Sequence, residues 1–373
     1  MGTPSNYYVD PTNGDDTTGD GTSGNPWQTT DHALTSGITR DVTNGDQVNI
    51  RDTSIDSSLS SMDIASTYGN PTTGAPLILR GYATSANDGG TGTLSGNGGR
   101  IFNTSADFVS LIDLRCTDGG SGEIIKVDNS WSLMRCQFDN TTGNAVDIDD
   151  DARIVNCYFK DIGGDAIYPA QRTFIRACTF ENDGGGKEFV NAVSAASTLG
   201  WVVIEECIFK LSGASVGVTH SAGAGSLEVR NCSFYSSAGT GSGITGGSSQ
   251  RVVVCVNNLV EGFSGPGGYG IRLRSWDAVT YGHNACYDNT TDYDISADQI
   301  FDLGDNETLT VTPYTNASGN DFSPVDTGNV LAGSYPEIFK GFAQIQSRDK
   351  GAIQKAAGGG GGGSRRSRIR RHN

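Results

Sequence analysis

The strongest constraint on this chain is a cysteine that returns at nearly even intervals in the same local phrase. Cys116, Cys136, Cys157, Cys178, Cys207 and Cys232 are separated by 20, 21, 21, 29 and 25 residues. From the second onward each is followed two positions later by an aromatic: Phe138, Phe159, Phe180, Phe209 and Phe234. Disulfide frameworks and zinc sites do not repeat one strand context at this period. Small apolar residues stacked along the inside of a coil do, and the β-branched, aromatic surroundings make that coil a β-solenoid.

A second strand of every turn must then show the same spacing. Ile125, Val146, Ile167, Val193, Val218, Ile244 and Ile271 are 21, 21, 26, 25, 26 and 27 residues apart. Extending the cysteine register places Asn258 in the cysteine slot and Cys255 one inward step earlier. It also puts Ala285 in the slot of the next turn, with Cys286 one residue out. Asn156, Asn231, Asn257 and Asn284 fall just before the slot, where asparagine tolerates the left-handed backbone of a sharp corner. In these inward slots the cysteines are expected to be reduced core residues.

Composition narrows the classes further. Among 373 residues, 53 are glycine, as many tight corners require. The net charge of −16, from 26 basic and 42 acidic side chains, argues against nucleic acid as a partner except through the C-terminal tail. No run of 18 apolar residues is present, so no membrane-spanning helix is expected. The opening MGTPSNYYVD has neither a basic start nor an apolar stretch, so no signal peptide is visible there. Phosphate-loop and nucleophile-elbow motifs are absent, and His32, His220, His283 and His372 lack zinc-ligand spacing.

These signals divide the chain into an N-terminal cap over 1–40, a coil over 41–330, a closing segment over 331–357 and a flexible Gly/Arg-rich tail over 358–373. The tail runs through six glycines into Arg365, Arg366, Arg368, Arg370 and Arg371 with no acid. It reads either as a solvated end or as an assembly tether docking on an acidic surface.

Chemistry on a coil belongs to the outward residues of successive turns. Those just after the second ladder, Lys126, Asp147, Tyr168, Ser194, Thr219, Thr245 and Arg272, form one line, with Asp149, His220, Arg274 and Trp276 close by. Paired carboxylates at Asp147 and Asp149 suit glycosidic hydrolysis, or a lyase reaction with calcium and an arginine or lysine base such as Arg272. Arg272, Arg274 and Trp276 could clamp and stack an acidic sugar. In the N-terminal turn, Asp10, Asn13, Asp15, Asp16 and Asp20 offer oxygens for calcium, although no cofactor is required.

The segment YYVDPTNGDDTTGDGTSGNPWQTTDHAL resembles the N-terminal cap of pectate-lyase-like right-handed parallel β-helix proteins. DFSPVDTGN and RDKGAIQ are similar to the closing segment of the same superfamily. The resemblance implies an all-β, single-stranded right-handed parallel β-helix. It implies a role among pectate lyases, glycoside hydrolases, or phage tailspikes and virion fibres that bind surface glycans. Asp147, Asp149 and Asp150 loosely resemble the calcium-binding aspartates of the lyase branch, while the glycine-flanked histidine of the polygalacturonase branch is missing. Three expectations follow. The first is a structural, glycan-binding homo-oligomer on a virion surface or outside the cell, binding surface polysaccharide and joined to other virion subunits through its tail. The second is a polysaccharide lyase or glycoside hydrolase acting on an acidic polysaccharide. The third is a subunit of an extracellular filament or surface layer.

Overall fold

Each turn of the chain contributes three short strands, as in Val146–Ile148, Ala152–Val155 and Tyr158–Ile162. Each pairs in parallel with its counterparts one turn before and one turn after. We term the three resulting stacks the first, second and third faces. The first two belong to one 19-stranded sheet, and the third is a separate 11-stranded sheet. At about 4.8 Å per strand the third face is roughly 50 Å long. The computed structural model describes residues 5–324, apart from 129, 170, 183–188, 190, 196–199, 221–224, 238 and 247–249.

The second ladder is the inward column of the first face. Val146 pairs with Ile125 and Ile167, and the column continues through Val193, Val218, Ile244 and Ile271. All seven are fully buried. On the third face Phe138, Phe159, Phe180, Phe209 and Phe234 stack with centroids 5.0, 5.0, 4.7 and 4.4 Å apart, their rings almost parallel. The coil imposes this arrangement, because side chains in register on adjacent parallel strands have no other direction in which to pack.

The cysteine register needs two corrections. Cys116 pairs with Leu94 before it and Phe138 after it, and so belongs to the phenylalanine column, not the cysteine column. At the far end Leu259 pairs with Ala285 and Val260 with Cys286. Cys286 therefore continues the phenylalanine column, and Asn284, not Ala285, takes the cysteine slot. Treating a small apolar residue as the substitute for cysteine was the wrong criterion; the substitute is an amide. Asn258 Oδ1 accepts from Cys232 N at 3.0 Å, while its Nδ2 donates to Val229 O at 3.0 Å and Asn284 Oδ1 at 3.1 Å. Asn284 repeats the pattern with Asn306 Oδ1 and Cys255 O. Where cysteine fills the slot its thiol donates to a carbonyl instead, as from Cys136 to Leu111 O. All eight cysteines are free and buried.

Just before this slot the chain turns from the second face to the third through one left-handed residue per turn. Asp113, Arg135, Asn156, Ala177, Glu206, Asn231, Asn257, His283 and Asp305 all have φ between 52° and 57°. Asparagine was expected at this corner and stands there at Asn156, Asn231 and Asn257, with His283 rather than Asn284 at the next.

The ends differ. Ser5–Val9 pairs in parallel with Asp46–Arg51, so the cap contributes the first strand of the stack. Trp27 is buried over it, stacked on Tyr7. Past the last strand of the third face, Glu307–Thr308, the chain doubles back across that face's outer surface. There Leu309, Tyr314, Ala317 and Phe322 bury the outward-facing Ile208, Leu259 and Ala285. The Tyr314 hydroxyl donates to Leu259 O at 2.8 Å. The closing segment 331–357 and the tail with Arg365, Arg366, Arg368, Arg370 and Arg371 lie outside the described residues.

Truncating Phe209, which stacks on both neighbours, should destabilise the protein by about 3–5 kcal/mol in urea unfolding. Ala177 holds a left-handed conformation that asparagine tolerates better. Ala177→Asn should therefore raise stability by about 0.5–1 kcal/mol, read in the same assay.

Candidate functional site

The outward line of the first face exists as a continuous file. Asn103, Lys126, Asp147 and Tyr168 stand in register, as do Ser194, Thr219, Thr245, Arg272 and Asp294. Charge gathers at its two ends. At one end Lys126 Nζ lies 3.7 Å from Asp147 Oδ2 and 3.5 Å from Asp149 Oδ2. Asp147 belongs to the strand Val146–Ile148, and Asp149 begins the turn into the second face.

The two carboxylates have different surroundings. Asp147 is only 9% exposed, and its Oδ1 is buried without a hydrogen-bond partner. Burial raises its carboxyl to about 6, with Lys126 opposing the shift and Asp149 adding to it. The Asp149 side chain is nearly half exposed. Asp128, one turn away, is also pushed up by burial and by the charge of Asp149. The Asp147 carboxylate, joined by Asp149, raises the Lys126 ammonium above its ordinary value, so this lysine stays charged at neutral pH. A carboxyl that can remain protonated near pH 6 beside one in a more solvated setting is the electrostatic pattern of an acid–base pair.

At the other end Arg274 Nε lies 2.7 Å from Asp294 Oδ2, and Arg272 Nε is 3.6 Å from the same oxygen. The Arg272 guanidinium also sits 4.6 Å from the centroid of Tyr269. Tyr168, Ser194, Thr219 and Thr245 separate Asp147 from Arg272, which puts the two charged ends about 24 Å apart. They cannot act on one bond together.

Two expected groove residues point the other way. His220 pairs across the sheet with Ala195 and Gly246 and is fully buried. It packs edge-on to Trp276, with 5.4 Å between the rings. Trp276 is 1% exposed and offers no surface for a sugar. His220 directly follows the outward Thr219, so strand alternation turns it inward.

The N-terminal carboxylates close turns. Asp10 is buried and accepts from Arg51 Nη1 at 2.7 Å, from Asn13 Nδ2, and from the N–H groups of Thr12 and Asn13. Burial works against it, but Arg51 and Asn13 hold its carboxyl down to about 2. Asp15 accepts from Thr17 and Thr18, Asp16 from Gln28 and Thr29, and Asp20 from Thr22. Among the described residues no three His, Cys, Asp or Glu side chains converge to hold a metal. The oxygens of Asp10, Asp15, Asp16 and Asp20 are engaged in closing turns. On the first face Lys126 stands against both carboxylates that calcium would need.

Residues 101–260 match the family model described as a right handed beta helix region. The chain folds as a right-handed parallel β-helix. Its fold superposes on the crystal structure of pectate lyase Pel9A with a TM-score of 0.66 at 11% identity, covering 95% of this chain and 98% of that one. A rhamnogalacturonan lyase is similar over 76% of this β-helix and 74% of its own chain, with a TM-score of 0.48 at 15% identity. The pectin methylesterase from Aspergillus niger covers 89% of this chain and 95% of its own, with a TM-score of 0.41 at 15% identity. No protein of curated function matches the sequence of this β-helix.

Burial lowers His220 from 6.5 to about 4. A folded value below the unfolded one means that the unfolded β-helix takes up the proton first. Stability due to His220 is therefore lost as pH falls from about 6.5 to 4. Chemical denaturation of His220→Phe at several pH values should show a shallower acid-side decline. Asp147 has the opposite sign, with its folded value raised from 3.8 to about 6. Its contribution is present below about 3.8 and lost as pH rises towards 6. Asp147→Asn should thus be more stable than the parent at pH 7, with the difference vanishing near pH 3.5.

Proposed function

We propose that this protein cleaves a polysaccharide on its first face, at Lys126, Asp147 and Asp149. The observation that carries this reading is Asp147, an outward-facing carboxyl sunk into the surface with one oxygen unpartnered and its proton retained to about pH 6. In that state it can donate its proton to a glycosidic oxygen as the bond to the departing sugar breaks. Asp149, the more exposed of the two, takes the complementary role, either activating water or stabilising the developing positive charge on the sugar ring. Lys126 holds the two carboxylates together and balances their charge. A lyase reaction would need Lys126 to give up its proton, and both neighbouring carboxylates oppose that, so hydrolysis is favoured. The similarity in fold to a pectate lyase supports a polysaccharide as the substrate class.

The first expectation, a glycan-binding fibre on a particle surface, rests on the family resemblance and the lack of a visible signal peptide, and its tether on the arginine tail, which lies outside the described residues. No structural observation favours it over an enzyme.

Incubation with a panel of plant and microbial polysaccharides between pH 4.5 and 7.5 should release reducing ends without unsaturated, ultraviolet-absorbing products. The rate should fall above about pH 6, as Asp147 ionises. Asp147→Asn should lower it by roughly 10²-fold or more. Unsaturated products would replace hydrolysis with elimination, and full activity in Asp147→Asn would remove the site.

A further inference from the structure

The second face carries a file of outward side chains that the first-face chemistry does not use. Along the coil axis it runs Ser132, Arg153, Phe174, Val203, Glu228 and Val254, each paired with the next one turn later. Two residues earlier on the same strands, Trp201 pairs with Ser226 and stands beside Arg172. Two residues later, Val155, Arg176, Glu205 and Arg230 form a third file. Trp27, Trp131 and Trp276 are at most 3% exposed, whereas Trp201 is 52% exposed and Val252, two turns further along its file, 39%.

The order of residues in these files is self-complementary. Consider a two-fold axis in the plane of the face, parallel to the strands and midway between Phe174 and Val203. It brings up a second copy with its coil reversed. Arg153 then faces Glu228 of the second copy, Phe174 faces Val203, and Trp201 lies over Arg172. In the third file Arg176 faces Glu205. No like charges meet across the three files. Moving the axis by half a turn of the coil destroys the match. Centred on Phe174 it sets Arg176 against itself, and centred on Val203 it sets Glu205 against itself.

The charges that this axis joins are poorly matched within one copy. The Arg153 guanidinium lies 5.9 Å from the Phe174 centroid and has no carboxylate partner among the described residues. Glu228 is mostly covered, with its side chain 14% exposed, and is held by Arg230 at 3.0 Å. Burial nevertheless raises its carboxyl, with Arg230 opposing the shift and Glu205 adding to it. A second cation would therefore find an under-compensated partner there. Sheets packed face to face stand about 10 Å apart, a gap that arginine and glutamate side chains span.

We propose that the second face is a two-fold interface between two copies of this chain, with the axis between Phe174 and Val203. Aromatic and aliphatic groups meet at its centre, flanked on both sides by an Arg153–Glu228 pair. A net charge of −16 makes two copies repel, so association needs a face that is locally balanced. Here Arg153, Arg172, Arg176 and Arg230 supply the cations that the rest of the surface lacks. Three files over six turns give about 18 residues a side, just below a standard interface, so the dimer is reversible.

Sedimentation velocity of the full chain at rising concentration should show a monomer–dimer equilibrium with a Kd on the order of micromolar. Acrylamide quenching of Trp201 should weaken over the same range. Arg153→Glu and Glu228→Arg each create two like-charge contacts in their own dimer, and each should weaken it at least about tenfold. An equimolar mixture of the two variants should associate as tightly as the parent, because both contacts then join opposite charges. Trp201→Ala should also weaken the dimer about tenfold, with Tm unchanged because the side chain is exposed. A protein still monomeric at roughly 100 μM would overturn the proposal. So would a dimer unaffected by both Arg153→Glu and Trp201→Ala, or a mixture that associates no better than either variant alone. If Glu228→Arg fails to fold beside Arg230, Arg153→Glu and Trp201→Ala decide the matter. Shielding of Trp201 by added polysaccharide in a protein that stays monomeric would assign the face to a ligand instead.

Discussion

A parallel coil keeps its register only if every turn passes through the same corner, and here that corner is one left-handed residue between the second and third faces. Nine successive turns place a non-glycine residue there at almost the same φ. The next residue then always points inward, which is why a single slot can run from cysteine to asparagine without the coil slipping. The two fillings work by different forces. Cysteine packs as a small apolar group with a weak donor, while asparagine joins neighbouring turns through its amide. Buried amides are tolerated because each one's donor and acceptor have found partners.

Once the register is set, the outer surface is a grid whose rows are the turns and whose files are fixed positions on a face. The C-terminal segment closes part of the third face, burying apolar side chains that would otherwise meet water. The far edge of the second face is occupied by arginines and glutamates that satisfy one another, such as Arg176 with Glu205 and Glu206, and Arg230 with Glu205 and Glu228. These pairs leave few charges there for a ligand. The proposed catalytic site lies on the first face, where it turns into the second.

The cysteine and aliphatic ladders were legible in the sequence because inward positions are chemically restricted, and restriction leaves a pattern. Outward positions are not restricted, so the groove file was found only by counting from the inward ladder. That count places Lys126, Asp147, Tyr168 and Arg272 outward but not His220, which directly follows the outward Thr219 and so turns inward. Trp276 was misassigned because an aromatic beside arginines suggests a sugar platform, whereas it fills the interior next to His220. The same counting would have reached the second face. Arg172 and Trp201 each lie six residues before a ladder cysteine, and Arg153, Phe174 and Val203 each lie four before one. Ala285 was placed in the cysteine slot by size alone, without considering that hydrogen bonding between turns could be what the slot requires.

The burial of Asp147 connects stability with chemistry. A carboxylate on a solvated strand would ionise near its ordinary value and could not deliver a proton near neutral pH. Sinking it beneath its neighbours raises its affinity for the proton, at the expense of folded stability wherever the group is forced to ionise. Lys126 limits that penalty without cancelling it, since the net shift of Asp147 remains upward. An outward position on a regular coil has no packing need for such a residue, and asparagine would fill the same space with less strain. A destabilising group retained where nothing in the fold requires it is better explained by the reaction than by the architecture.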